Sequence, residues 1–229
     1  MDVALLTGNK EAAALLRSHN ALEGKQLNER VQKAWRDAGK VVVLEHVASG
    51  ALYQDYTILF GDFNTFKADV KLSAGKFYYE LHIKRRSTFW LGGGALFGWA
   101  TEDFASSAKP DGPEQFVGGN AFSWGFDGVR VFKYANNVGA EGSAFGVEWQ
   151  EGDVLGLACD MVNKIVSFSV NGSFEPPLGV AFDKVVADSI VPAFSASLGF
   201  KVVANFGQLP LKHAPPDETY VSVHAAAQK

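Results

Sequence analysis

Glu148, Glu151 and Asp153 bring three carboxylates into one short stretch, and paired carboxylates can serve as the acid and base of glycoside hydrolysis. These flank Gly152, where a strand is only beginning, so the stretch reads as a solvated loop. The five histidines (His19, His46, His82, His213 and His224) share no metal-ligand spacing with one another or with Cys159. Gly24-Lys25, Gly39-Lys40 and Gly75-Lys76 are followed by Gln, Val and Phe, not by the Ser or Thr of a phosphate-cradling loop. Gly92 to Gly98 carries glycines near the spacing of a dinucleotide-binding turn. Its last interval is one residue too long and no helical pattern follows, so a turn entering a strand is the better reading. No serine stands in a Gly-x-Ser-x-Gly nucleophile setting. These residues predict no enzyme and no cofactor.

The elements that would carry any site are bounded by composition. A chain of 229 residues, 47% hydrophobic and 20% charged, can enclose one sizeable core, or one core with a small appendage. Its 24 Gly and 18 Phe suit an all-β domain, with Gly in turns and Phe between sheets. A net charge of -4 argues against a nucleic-acid partner, which needs a clustered basic surface. The densest basic run, Lys84-Arg85-Arg86, reads as a solvated strand end. Cys159 has no partner for an intramolecular disulfide, which suits a reducing compartment, and it reads as a small core residue. The N-terminus lacks the apolar core of a signal peptide, and no apolar run approaches the roughly 18 residues of a membrane span. The expected compartment is therefore the cytoplasm or nucleus, with no membrane partner.

Two textures follow one another along the chain. Residues 1 to 38 are helical in style, with apolar residues at three- and four-residue intervals, and Gly39 stops the pattern. From Val41 to about residue 210 the pattern is short strands and turn signals. Strands are expected near 41–47, 56–60, 64–71, 76–84, 95–100, 120–126, 129–134, 154–160, 165–170, 178–182, 190–197 and 200–206. Within GDVLGLACDMVNKIVSFSVNG (152–172), Asp160 to Lys164 has the make-up of a hairpin loop, and Asn171-Gly172 that of a tight turn. Val166, Phe168 and Val170 alternate with Ser167 and Ser169, so one face is expected in the core and the other in water. SWGFDGVRVF reads as two strands joined by Asp127-Gly128. Many closely spaced strands without intervening helices indicate an antiparallel sandwich. The tail 211–229, with adjacent prolines and a polar end, reads as loosely attached.

GKFYYELHI (75–83), FGWAT (97–101), VGGNAFSWGFDG (117–128), the 152–172 stretch, LGVAF (178–182), VPAFSA (191–196) and NFG (205–207) occur in this order. Together they resemble the SPRY domain, the core of B30.2 modules, over residues 50 to 207. The resemblance implies a bent antiparallel β-sandwich, a concanavalin-like jelly roll, acting as a protein-interaction module. It implies that Trp99, Trp124, Phe168 and Phe206 are core. LLTGNKEAAALLRSHNA (5–21) is similar to the later part of an ankyrin repeat, although the Thr-Pro-Leu-His opening is absent. The expected organisation is an ankyrin-like helical segment (1–23), a linking helix (24–40), a SPRY domain (41–210) and a tail (211–229).

SPRY domains bind partners through loops at one end of the sandwich, so the resemblance implies a protein or peptide ligand held there. Ser197-Leu198-Gly199-Phe200 joins the last two strands, and its spacing matches a peptide-contacting loop of the SPRY-domain SOCS-box family. The alternative for Leu198 is a turn residue folded back onto its own sheet. Ala105 to Gln115 precedes a position where that family places an aromatic contact; counting back from Val117 gives Pro113, which argues against the same short Asn-rich ligand. A third stretch begins at Tyr53 and runs to Asn64. The function expected is an intracellular adaptor recognising a peptide or protein surface. The runner-up is a glycan-binding or glycan-cleaving protein of related jelly-roll architecture, though the Glu-x-Asp-x-x-Glu strand of such glucanases is missing.

Because the SPRY-like blocks begin well after the N-terminal segment, deletion of residues 1–23 is expected to leave a folded sandwich. Soluble expression and a cooperative melt of the 24–229 chain check this. Expression only as aggregate would move the domain boundary into the deleted segment.

Overall fold

The computed structural model describes residues 24–46, 51–54, 56–60, 64–86, 94–104, 116–135 and 142–229. Two antiparallel sheets form a sandwich. Strands β1 (Leu44–His46), β2 (Ala51–Gln54), β3 (Thr57–Phe60), β4 (Asn64–Ala68) and β5 (Lys76–Arg85) come first. They are followed by β6 (Ala95–Ala100), β7 (Ser123–Asp127), β8 (Phe132–Ala135), β9 (Ser143–Ala144) and β10 (Val154–Asp160). The chain then adds β11 (Ile165–Val170), β12 (Gly179–Phe182), β13 (Val191–Ala196), β14 (Lys201–Asn205) and β15 (Val221–Ser222). One sheet has the order β1-β4-β13-β6-β7-β8-β9; the other runs β12-β11-β10-β5-β14-β3-β2, with β15 added in parallel to β5. Helices α1 (Gly24–Asp37) and α2 (Val223–Ala227) bracket the strands. Strands β2, β9 and β15 and helix α2 were not legible from the pattern. Each is short: β2 closes a local hairpin on β3 and β9 pairs the neighbouring β8, whereas β15 depends on β5, far away in sequence.

The core lies between the sheets and is largely aromatic. Phe97 stacks on Trp149 with centroids 4.8 Å apart, and Phe126 meets Trp149 edge-on at 5.0 Å. Tyr79 from one sheet meets Trp99 from the other at 5.0 Å, and its hydroxyl donates to the Gly98 carbonyl. That bond satisfies a buried hydroxyl and ties the centre of one sheet to the centre of the other. Trp99, Trp124, Phe168 and Phe206 are all buried, as their place in the motif implied.

The 152–172 hairpin forms as its turn chemistry indicates. Asp160 accepts from the N–H groups of Val162 and Asn163, and Lys164 takes a positive φ before Ile165 begins the return strand. Asn171 and Gly172 have φ of 51° and 83°, both signs that a type I′ turn requires. Ser167 and Ser169, expected in water, are instead buried, because the outer face of this sheet is covered. Asp127-Gly128 is also corrected: β7 and β8 are joined by residues 128–131, not by a two-residue turn. Asp127 folds its carboxylate onto the N–H groups of Val129 and Arg130, so the connection is an Asx-type loop. Gly128 is there for space, since a Cβ would sit 2.0 Å from the Trp149 ring.

Neither outer face of the sandwich is fully open. Phe104 and Val117 pack on Leu96, Ala100, Val191 and Ala193 outside the first sheet. The second sheet is covered by the C-terminal residues, so the expectation of a loosely attached tail is overturned. Glu80, fully buried on β5, accepts hydrogen bonds from the backbone N–H of Lys212 (3.0 Å) and His213 (2.7 Å). β15 pairs beside Phe77 and Tyr78, Val223 is buried, and the His224 N–H reaches the Phe206 carbonyl at 2.7 Å. Covered outer faces explain why FYYELHI, ALFGWA and VPAFSA read as continuous apolar runs rather than alternating ones. A polar tail was misread because its attachment is made by backbone groups, which composition does not reveal.

Helix α1 closes on Gly39 (φ 72°): Lys40 N–H bonds the Trp35 carbonyl and Gly39 N–H that of Arg36, a Schellman cap. Trp35 is buried against Tyr56, with ring centroids 4.6 Å apart. The ankyrin-like residues 5–21 lie outside the described residues.

Burial pushes the Glu80 carboxyl up, but hydrogen bonds from His82, Lys212 and His213 outweigh it and hold it below its ordinary value. A depressed carboxylate stabilises the fold above its unfolded pKa, about 4.3, and that contribution is lost as pH falls through the folded value. Glu80→Gln is therefore expected to lower stability by about 1.5–3 kcal/mol at neutral pH, the range for hydrogen bonds to a charged group. The gap from the parent should close below about pH 4. Chemical denaturation across pH checks both the size and the closure; a gap that stays constant in acid would assign the loss to packing.

Candidate interaction surface

The turn between β13 and β14 is fixed by backbone bonds on every side. Phe200 N–H closes onto the Ser197 carbonyl at 3.2 Å, and Gly199 takes φ of 92°, the sign required at the third position of a type II turn. Ser197 N–H bonds the Gly94 carbonyl, Gly199 N–H bonds the Phe60 carbonyl at 2.8 Å, and Phe60 N–H returns to the Phe200 carbonyl at 2.9 Å. The Arg85 Nε donates to the Gly199 carbonyl at 2.8 Å, adding a side-chain clamp from β5.

This frame sorts the four residues of the turn. Phe200 is buried with 1% exposure and roots the turn in the core, while Ser197 is buried at 7%. Leu198 lies between them at 46% exposure. The leucine is thus half in water on a turn whose backbone is bonded at both ends. Tyr53 sits in β2 opposite Ile58, two positions beyond Ala51, which pairs with the Phe60 that bonds the turn. Pro113 lies outside the described residues.

The same end of the sandwich holds charged residues that the sequence pattern placed on a solvated loop and strand end. Arg86 takes Glu148 at 2.5 Å through its guanidinium and Glu151 at 2.9 Å through its N–H. Asp153 accepts from the Gln150 N–H and the Asn171 side chain. The three carboxylates that superficially resembled a catalytic group are thus occupied in holding loops together. Lys84, Arg85 and Lys201 are exposed. Lys84 and Arg85 were visible as a basic run, but their juxtaposition with Lys201 and Leu198 depends on strand register.

Other chemistry finds little footing. Among the described residues no group of three His, Cys, Asp or Glu is arranged to hold a metal ion. Burial pushes the Cys159 thiol well above its ordinary value, so it is a core residue rather than a nucleophile. A cavity of about 370 Å³ lies between residues 71–77 and the C-terminal segment. Two of its three lysines are engaged: Lys71 with Glu102 at 2.8 Å, and Lys76 with Asp217 at 3.3 Å and Asp160 at 3.5 Å. No helix among the described residues is long and apolar enough to cross a membrane.

The SPRY domain model matches residues 76–209, which is more than half of the chain. The chain belongs to the SPRY domain family. It is 30% identical over 155 residues to the E3 ubiquitin-protein ligase RKP of Arabidopsis thaliana, covering 66% of this chain and 11% of that protein. It is 35% identical over 133 residues to the heterogeneous nuclear ribonucleoprotein U-like protein 2 of Mus musculus, covering 56% of this chain and 16% of that one. The chain therefore corresponds to a small part of each curated relative. The crystal structure of the SPRY domain of human HERC1 shares the fold, with a TM-score of 0.53 at 17% identity, over 70% of this chain and 94% of that one. SPRY domains are generally protein-interaction modules, and the ankyrin-like segment 5–21 falls outside the matched residues.

Proposed function

We propose that this SPRY domain is an adaptor that recognises a peptide or protein surface through the end of the sandwich formed by the Ser197–Phe200 turn. The observation that carries the reading is Leu198, an apolar side chain left 46% exposed on a turn otherwise rooted in the core. Loops held on a rigid scaffold are the usual place for recognition. A turn already bonded at both ends loses little conformational freedom on binding, which favours affinity. Tyr53 and Pro113 are proposed as further contributors. An intracellular setting, cytoplasmic or nuclear, agrees with the one buried thiol and with a chain that needs no disulfide. No feature of the described residues favours the glycan-binding reading: the carboxylates are engaged elsewhere, and the cavity's one aromatic side chain, Phe77, is buried.

Burying a leucine is worth about 1.5–3 kcal/mol, so Leu198→Asp is expected to weaken partner binding by about tenfold or more. Its melting temperature should stay close to the parent's, since surface substitutions usually move stability within about 0.5 kcal/mol. Phe168→Ala provides the contrast. Phe168 is buried against Phe126 with centroids 5.6 Å apart, and its removal should cost about 3–5 kcal/mol of stability. Affinity capture with both variants, read beside their thermal melts, tests the assignment. If Leu198→Asp unfolds the protein, Leu198 is structural; if it changes neither property, the binding face lies elsewhere.

A further inference from the structure

Strands β5 and β14 pair with a register shift at their outer end. Val202 faces Ile83, but Lys201 faces Arg85, so Lys84 is an extra residue without a partner across the ladder. This is a β-bulge, a device that re-aims side chains at sheet ends. Its result here is to crowd Lys84, Arg85 and Lys201 into one small patch, all three exposed. Like charges directly opposite one another in an antiparallel pair are destabilising. The chain as a whole is acidic, at -4, so the concentration of positive charge is local. Among the described residues the acids of this end are engaged elsewhere: Glu148 and Glu151 bind Arg86, Asp153 binds Gln150 and Asn171, and Asp127 holds Arg130 at 2.9 Å. Arg85 gives its Nε to the Gly199 carbonyl, which fixes the patch beside Leu198.

We infer that the partner of this surface is an acidic peptide segment, in which an apolar side chain over Leu198 is flanked by Asp or Glu facing Lys84, Arg85 and Lys201. This rests on the proposal that the Ser197–Phe200 turn is the binding face. The carboxylates supply a counter-charge to the three cations, and the leucine supplies the anchor. A nucleic acid fits less well. A patch of three cations makes few phosphate contacts, and Leu198 is no stacking platform for a base.

The test is selection of a random-peptide display library on the full 229-residue chain, followed by binding of synthetic copies of the enriched peptides at low and high salt. The expected peptides carry Asp or Glu beside a large apolar residue. Their affinity should fall by about tenfold or more, or about 1.4 kcal/mol, in Lys84→Glu/Lys201→Glu and also in Leu198→Asp, and should weaken with salt. The neutral pair Lys84→Gln/Lys201→Gln should lose part of the affinity while melting no lower than the parent, because it removes a repulsion. That variant keeps the test valid if the charge reversal disturbs folding. Peptides without acidic bias that respond to Leu198→Asp and ignore the lysine variants would overturn the acidic inference and leave the face standing. Peptides indifferent to every variant would overturn both. If no peptide is enriched the inference fails. Binding of a fluorescein-labelled oligothymidine that is lost in the lysine variants would reassign the patch to nucleic acid.

Discussion

Strand β5 is buried on both faces, and the rest of the molecule is arranged to make that possible. Phe77, Tyr79, Leu81 and Ile83 face the core between the sheets, while Tyr78 and Glu80 lie on the other side with no exposure. A carboxylate in that position is tolerable only when its lone pairs are filled. The backbone of Lys212 and His213 fills them, and His82 Nε2 lies 3.1 Å away. The C-terminal segment is therefore a third layer over the sheet. β5 also pairs β10 and β14 along its length and β15 at its start, so its position determines most of the second sheet.

From that strand the proposed binding end follows by register. β5 runs out through the bulge at Lys84 to Arg85, whose side chain reaches the turn after β13. The turn is held in its turn by Phe60 on β3 and Gly94 before β6, one strand from each sheet's neighbourhood. Leu198 owes its exposure to this over-determination. Phe200 beneath it takes the core position, and the backbone bonds leave the turn no room to fold the leucine inward.

How much of this was legible in the sequence depends on the range of the interaction. The Asp160 loop and the Asn171-Gly172 turn were readable because their chemistry is local: a side chain bonds a backbone group a few residues away. The aromatic core was readable from the ordered SPRY blocks. Ser167 and Ser169 misled because a period-two pattern reports which residues are polar, not whether a distant segment covers them. Asp127-Gly128 misled for a related reason. The glycine answers to Trp149 across the core rather than to the turn. At the candidate site, a leucine in a turn was visible but not its exposure, and the crowding of Lys84, Arg85 and Lys201 is a property of strand register.

The C-terminal cover has a consequence for biosynthesis. Residues 211–229 are made after Asn205, by which point β5, β10, β11 and β14 of the sheet they shield are complete. During translation there is an interval in which the sandwich can close while Tyr78, Glu80, Ser167 and Ser169 are still bare. In that interval the outer face of β5, with its position beyond β14 not yet filled by β15, presents open backbone donors and acceptors to any neighbouring chain. The sheet is thus sealed by residues made after its own strands, so its closure trails the synthesis of the sandwich it completes.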